Sequence, residues 1–147
     1  MILLVDIGNS QVKWTTIKSK VLADSESFAR PKTGIKAALN KAWKSLDGIT
    51  AIFVSNVAGE KMAAQLSEWV EKQWQLTPVF IRSEKRRFGV TNAYDQAETL
   101  GIDRWLAIIA GRQHAKEVTC IIDCGTAITV DIVTEKGQHQ GGLILPG

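Results

Sequence analysis

Eight residues near the start of the chain return in pattern 117 positions later. Leu3-Leu4-Val5-Asp6-Ile7-Gly8-Asn9-Ser10 and Cys120-Ile121-Ile122-Asp123-Cys124-Gly125-Thr126-Ala127 share one plan: apolar residues, an aspartate, one further residue, a glycine, then a small hydrogen-bonding side chain. A short apolar run closed by turn chemistry predicts a buried strand. Each copy is followed by a β-like stretch, residues 11–17 and 128–133, so each predicts a strand, a glycine turn and an antiparallel return. Two such copies predict a duplicated fold with two facing hairpins.

The chemistry of this pattern is definite. A glycine turn lets backbone N–H groups approach a ligand closely. Asn9, Ser10 and Thr126 add side-chain donors, and an aspartate at a strand end can hold Mg²⁺ directly or through water. Two such turns closing on one another would form a cleft for the phosphates of a nucleotide. No GxxxxGK[ST] occurs, so this is not a Walker A loop.

The rest of the chain alternates strands with amphipathic helices. A third strand is expected within residues 21–28. Pro31 is expected to open a helix over 31–46, with Ile35, Ala38, Leu39, Ala42, Trp43 and Leu46 on one stripe. A buried strand over 49–54, a helix over 60–74 and a short strand over 78–81 follow. Residues 83–98 lack clear periodicity and read as a long, function-bearing excursion. A helix is expected over 100–115, then strands over 118–123 and 127–133, with a further strand or loop over 141–147. No helix follows to cover the last strands. The expected organisation is therefore a first domain over 1–116 and the opening strands of a second over 117–147. Leu143-Ile144-Leu145 is expected to need a partner further on, and the 147-residue chain alone is expected to show little or no turnover.

Composition narrows the class. The chain is 45% hydrophobic and 22% charged, enough apolar material to exclude intrinsic disorder. The net charge of +3 is spread along the chain, and only Lys85-Arg86-Arg87 forms a basic run. That run reads as a solvated surface, and no nucleic-acid partner is demanded. Cys120 and Cys124 cannot bridge along one strand and are expected to be small buried hydrophobes. His114 and His139 show no metal-ligand spacing and are expected at the surface. The five tryptophans are expected in the core or at an interface. With no secretory leader and no apolar run near the roughly 18 residues of a membrane span, the expected location is cytoplasmic, with no membrane partner.

Four segments together resemble one family. Val5-Asp6-Ile7-Gly8-Asn9-Ser10 resembles the first phosphate motif of type III pantothenate kinases. Gly101-Ile102-Asp103-Arg104 resembles their G-x-D-R motif. Asp123-Cys124-Gly125-Thr126-Ala127, with Thr129 and Asp131, resembles their second D-x-G-T motif, and Gly141-Gly142-Leu143-Ile144-Leu145-Pro146-Gly147 their G-G-x-I-x-P-G segment. Order and spacing agree across the whole chain, which would be roughly the first three-fifths of such a protein. The resemblance implies an α/β fold of the sugar-kinase, heat-shock-protein and actin superfamily. That is a ribonuclease-H-like (actin-like ATPase) domain with a mixed sheet and flanking helices, plus the first strands of a second, duplicated domain.

It also implies ATP-dependent phosphorylation of pantothenate to 4'-phosphopantothenate, the first step of coenzyme A biosynthesis. Asp103 would be the catalytic base; a plain acid at a helix N-terminus is the alternative. Asp6, Gly8, Asn9, Ser10, Lys13, Gly125 and Thr126 would bind the phosphates of ATP, and Asp6 and Asp123 would hold Mg²⁺. Tyr94, Gly101, Ile102 and Arg104 would line the pantothenate site, with Arg104 stabilising a carboxylate, binding an anionic part of the substrate, or making a surface salt bridge. Asn56 is a weaker candidate for the cleft. The resemblance further implies a monovalent cation (K⁺ or NH₄⁺) and a homodimer. Two other readings stay open: a non-catalytic nucleotide-binding regulator of the same fold, and a kinase of the superfamily acting on a sugar or acetate.

Overall fold

The computed structural model describes residues 1–147, which form two compact units, Met1–Ile81 and Arg82–Gly147. Compactness thus divides the chain after Ile81, whereas the repeat divides it after residue 116. The duplicated-domain boundary remains a proposal about sequence pattern.

In the first unit, β1 (Ile2–Ile7) turns into β2 (Gln11–Lys18), followed by β3 (Val21–Leu22) and β4 (Glu26–Ala29). Helix α1 (Lys36–Trp43), β5 (Ala51–Asn56), α2 (Glu60–Trp74) and β6 (Val79–Phe80) complete it. The sheet order is β3-β2-β1-β5-β6, with β4 also pairing β2. Strands β1 to β4 are antiparallel neighbours, whereas β5 and β6 run parallel to β1. This is the mixed sheet with flanking helices that the resemblance implies.

Alternation selects the buried face. Leu3, Val5 and Ile7 of β1 point the same way as Val12 and Trp14 of β2 and Ile52 and Val54 of β5, and all are buried. Leu39 and Trp43 of α1, with Met62, Leu66, Trp69 and Val70 of α2, close over them. Full burial of each large apolar side chain contributes about 1.5–3 kcal/mol. Asp6 therefore falls on the opposite face, half-buried, with Lys13 directly across in β2 and Ser55 in register in β5.

Helix α1 is shorter than the pattern over 31–46 suggests. Pro31 does not open it, because the backbone at Gly34 is left-handed (φ +60°) and cannot be helical. Its first orphan N–H, that of Ile35, donates instead to Gln65 Oε1 of α2 at 3.3 Å. Four of the tryptophans gather in this core. Trp43 meets Trp14 and Trp69 edge-on at 6.2 and 5.9 Å between centroids, and stacks on Trp74 at 6.3 Å. The Trp69 Nε1–H donates to Asn40 Oδ1 at 2.8 Å, but the buried Nε1–H of Trp43 has no partner. Trp43→Phe is therefore expected to cost no more than about 2 kcal/mol, against ~3–5 kcal/mol for truncation to alanine, because losing the unmet N–H offsets lost packing. Urea unfolding followed by tryptophan fluorescence checks this; a cost above about 3 kcal/mol would show that the N–H is satisfied.

In the second unit, the hairpin β7 (Arg86–Arg87) and β8 (Val90–Thr91) leads through a 3-10 turn (Ala97–Thr99) into α3 (Ile102–His114). Strands β9 (Thr119–Cys124), β10 (Ala127–Val133) and β11 (His139–Pro146) then form an antiparallel sheet in the order β11-β10-β9. Ile102, Trp105 and Ile108 of α3 are buried, and Gly111 lets Ile121 and Thr119 of β9 come close.

Two expectations are corrected here, for the cysteines and for His139. Cys120 and Cys124 are free and exposed, not buried, because Thr119 and Ile121 take the helix side of β9 and alternation turns the cysteines to the other face. Leu143 to Leu145 bond on one edge to β10, opposite Val130, Thr129 and Ile128, but β11 is the outer strand of its sheet and their side chains stay exposed, which leaves the expectation of a further partner standing. His139 is only 3% exposed and lies in the interior of this unit, although His114 is exposed as expected. The cause is a bulge in β11. Asp131 pairs with Gly142 and Val133 with His139, so two residues of β11, Gln140 and Gly141, stand against Ile132 alone. Gly141 takes φ +92° there.

Candidate active site

The two aspartate hairpins carry the same backbone device. In the first, the Gly8 N–H donates to the Gln11 carbonyl at 2.9 Å; in the second, the Gly125 N–H donates to the Ala127 carbonyl at 3.0 Å. Asp6 faces Lys13 across its ladder, and Asp123 faces Thr129. The first turn is one residue longer. It is also pinned from outside by Arg30, whose Nε donates to the Asn9 carbonyl at 2.6 Å and whose backbone N–H donates to the Ser10 carbonyl at 2.8 Å. Arg30 also lines a cleft of about 190 Å³ with Lys32 and Lys61, so cations gather beside this turn. Asn9, Ser10 and Lys13 are exposed in the first unit, and Asp123, Gly125 and Thr126 in the second. Asn56 is engaged locally: its Oδ1 accepts the Ala58 N–H and its amide donates to the Gly59 carbonyl.

Whether these residues suit a divalent cation can be judged from the donors. No group of three or more His, Cys, Asp or Glu side chains is assembled, so there is no protein cage. Mg²⁺ does not need one; it keeps waters and takes one or two carboxylates together with substrate phosphates. Asp6 offers such a carboxylate, and the buried Oγ of Ser55, in register beside it, has no hydrogen-bond partner. The donor set therefore fits a hydrated, phosphate-bound Mg²⁺.

The second unit holds the G-x-D-R residues at the start of α3. Asp103 is exposed in the first turn, where a carboxylate is favoured by the helix dipole. Its Oδ1 accepts the backbone N–H of Arg104 at 2.8 Å. Gly101 is glycine for a local reason: a Cβ there would sit 2.7 Å from Asp103 Oδ1 and displace the carboxylate.

Arg104 makes a buried ion pair, not a surface one. It is 6% exposed, and its Nε and Nη2 donate to Asp131 Oδ2 and Oδ1 at 2.9 and 2.7 Å. This bidentate contact raises the guanidinium further above its already high range. Its Nη1 donates to the Tyr94 hydroxyl at 3.3 Å, and its Cζ lies 5.9 Å from the Tyr94 ring centroid. Gly142 must lack a Cβ because one would collide with Asp131 Oδ1 and Arg104 Nη2. The 92–94 loop is tied down as well. The Tyr94 N–H donates to Asn92 Oδ1 at 2.9 Å, and the buried Asn92 amide donates to the Ala97 carbonyl at 3.2 Å.

A model of the type III pantothenate kinase family matches residues 2–147. The chain belongs to that family. It is 48% identical, over its whole length, to a type III pantothenate kinase of Nitrosococcus oceani, of which it covers 57%. It is 36% identical to a type III pantothenate kinase of Dichelobacter nodosus, covering 59% of it. It is also similar to a crystal structure of a Baf family protein from Campylobacter jejuni, at 28% identity and a TM-score of 0.52, covering 99% of this chain and 54% of that one. The chain thus spans under three-fifths of the length of these type III pantothenate kinases.

Against the family motifs, the structure brings Tyr94, Gly101, Ile102, Asp103 and Arg104 together in one unit, with Ile102 packed into the base of α3. Beside Arg104 and Tyr94 it adds His139 and Asn92, which lie outside the four motif segments, and it gives a contact to Asp131 and Gly142, which lie within them but had been given no role. The signals for two of them were in view. Asp131 is an aspartate in the middle of a strand, and Gly142 is the second glycine of a pair.

Proposed function

We propose that this chain supplies the proton acceptor and phosphate-binding turns of an ATP-dependent kinase that converts pantothenate to 4'-phosphopantothenate, the first step of coenzyme A biosynthesis. The observation that carries the reading is Asp103: an exposed carboxylate, fixed at a helix start by the Arg104 N–H, in the family's G-x-D-R motif. The primary hydroxyl of pantothenate gives its proton to Asp103 as its oxygen bonds to the γ-phosphorus of ATP. The bond from that phosphorus to the β,γ-bridging oxygen breaks, and ADP leaves. Asn9, Ser10, Lys13 and Thr126, with the backbone N–H groups of the Gly8 and Gly125 turns, hold phosphate oxygens. Asp6 and Asp123 are the carboxylates for Mg²⁺, which when bound neutralises charge on the β- and γ-phosphates. Tyr94, Gly101 and Arg104 shape the pantothenate side. Use of K⁺ or NH₄⁺, a homodimeric state and a cytoplasmic location belong to the same proposal; no helix is long and apolar enough to cross a membrane.

The test is ATP-dependent formation of 4'-phosphopantothenate by the full-length protein carrying this sequence. A second reading, a nucleotide-binding regulator, draws on the likeness to the Baf family protein. Absence of phosphorylation, with ATP binding retained, would favour it.

A further inference from the structure

We infer that Asp131 and His139 are positioning residues for Tyr94, Asp131 acting through the Arg104 guanidinium and His139 directly on the ring; this rests on the pantothenate kinase reading above. One buried carboxylate gathers three donors. Asp131 Oδ1 accepts from Arg104 Nη2 at 2.7 Å and lies 2.8 Å from His139 Nε2, while Oδ2 accepts from Arg104 Nε at 2.9 Å. The tautomer of His139 follows from its other nitrogen. Nδ1 receives the backbone N–H of Ala93 at 3.4 Å, and this pattern assigns Nε2–H as the donor to Asp131. The imidazole also stacks on the Tyr94 ring, 6.1 Å between centroids at 15°.

Tyr94 is thereby held at two points by this network, its hydroxyl by Arg104 and its ring face by His139, while His139 Nδ1 also takes the backbone N–H of the neighbouring Ala93. The same Arg104 gives its backbone N–H to Asp103. Each guanidinium nitrogen has one partner, and two of the three bonds go to Asp131. The Arg104 charge is therefore matched by Asp131, and Arg104 acts on the substrate side through the Tyr94 hydroxyl that it holds. The β11 bulge, with Gly141 and Gly142, is what brings His139 and Arg104 to one carboxylate.

The experiment is steady-state kinetics on the full-length protein and its His139→Leu and His139→Gln variants. His139→Leu is expected to raise KM for pantothenate about tenfold or more while KM for ATP stays within about twofold. His139→Gln, which keeps an N–H for Asp131, is expected to recover part of the loss. A purely structural role would lower the active fraction, and so kcat, without moving the pantothenate KM. A pantothenate KM within about twofold of the parent in folded His139→Leu overturns the inference. Should that variant not fold, the imidazole ¹⁵N resonances of His139 in the parent decide. They are expected to report the Nε2–H tautomer and to shift with pantothenate but not with ATP alone; an Nδ1–H tautomer, or no shift at saturating pantothenate, overturns it. A parent that phosphorylates no pantothenate removes both this inference and the function beneath it, whereas an active parent with an indifferent His139 removes only the former.

Discussion

Asp103→Asn in the full-length protein is expected to lower kcat for pantothenate phosphorylation by about 10²–10⁴-fold, the usual contribution of a positioned general base. Pantothenate KM should change little, because asparagine keeps the shape. Its Oδ1 can still accept the Arg104 N–H that the carboxylate accepts at 2.8 Å. Stability should fall by no more than about 1 kcal/mol, the value of an acid in an exposed first turn. Single-turnover and steady-state assays, with a urea melt alongside, separate these effects. A variant with near-parental kcat would take the base role from Asp103 and leave it as the first-turn acid that the helix dipole also explains.

Removing Asp131 is expected to produce the largest loss of stability. Asp131→Ala leaves the guanidinium of Arg104, 6% exposed, without its counter-charge, and leaves His139 Nε2–H without its acceptor. Breaking a buried ion pair in this way costs about 3–5 kcal/mol. The pair itself is worth far less than that, because both charges were desolvated to make it. The double variant Asp131→Ala/Arg104→Met is therefore expected to recover at least about half of the loss. Urea unfolding of the single and double variants measures the coupling. A single variant within about 1 kcal/mol of the parent would mean that water reaches Arg104 and that the carboxylate does not anchor it.

Both experiments depend on side chains whose importance was unevenly visible in the sequence. Asp103 is legible because its motif is local: Gly101 clears space for the carboxylate two residues on, and the helix dipole acts within one turn. The hairpins are legible for the same reason. The first strand is an apolar run closed by turn residues, and the turn bonds of Gly8 and Gly125 span only a few residues. Helix α2 begins and ends where its apolar stripe does. The start of α1 was not legible, because the backbone turns left-handed at Gly34 and the Ile35 N–H finds its acceptor on Gln65, 30 residues away in sequence.

What the sequence alone determined about this protein is its longer strands, the repeated aspartate turn, the α/β class and the family motifs; the hairpin Arg86–Arg87/Val90–Thr91 and the division of residues 21–28 between two strands were not among them. Each of the former depends on residues a few positions apart, where spacing is geometry. Only the tertiary structure decided that His139 is interior, that the two cysteines face outward, and that Arg104 is spent on Asp131. Those outcomes turn on a bulge in β11 and on which side of β9 the helix covers. A one-residue shift in pairing exchanges the faces of a strand, and no local pattern records which register the neighbouring strand will take.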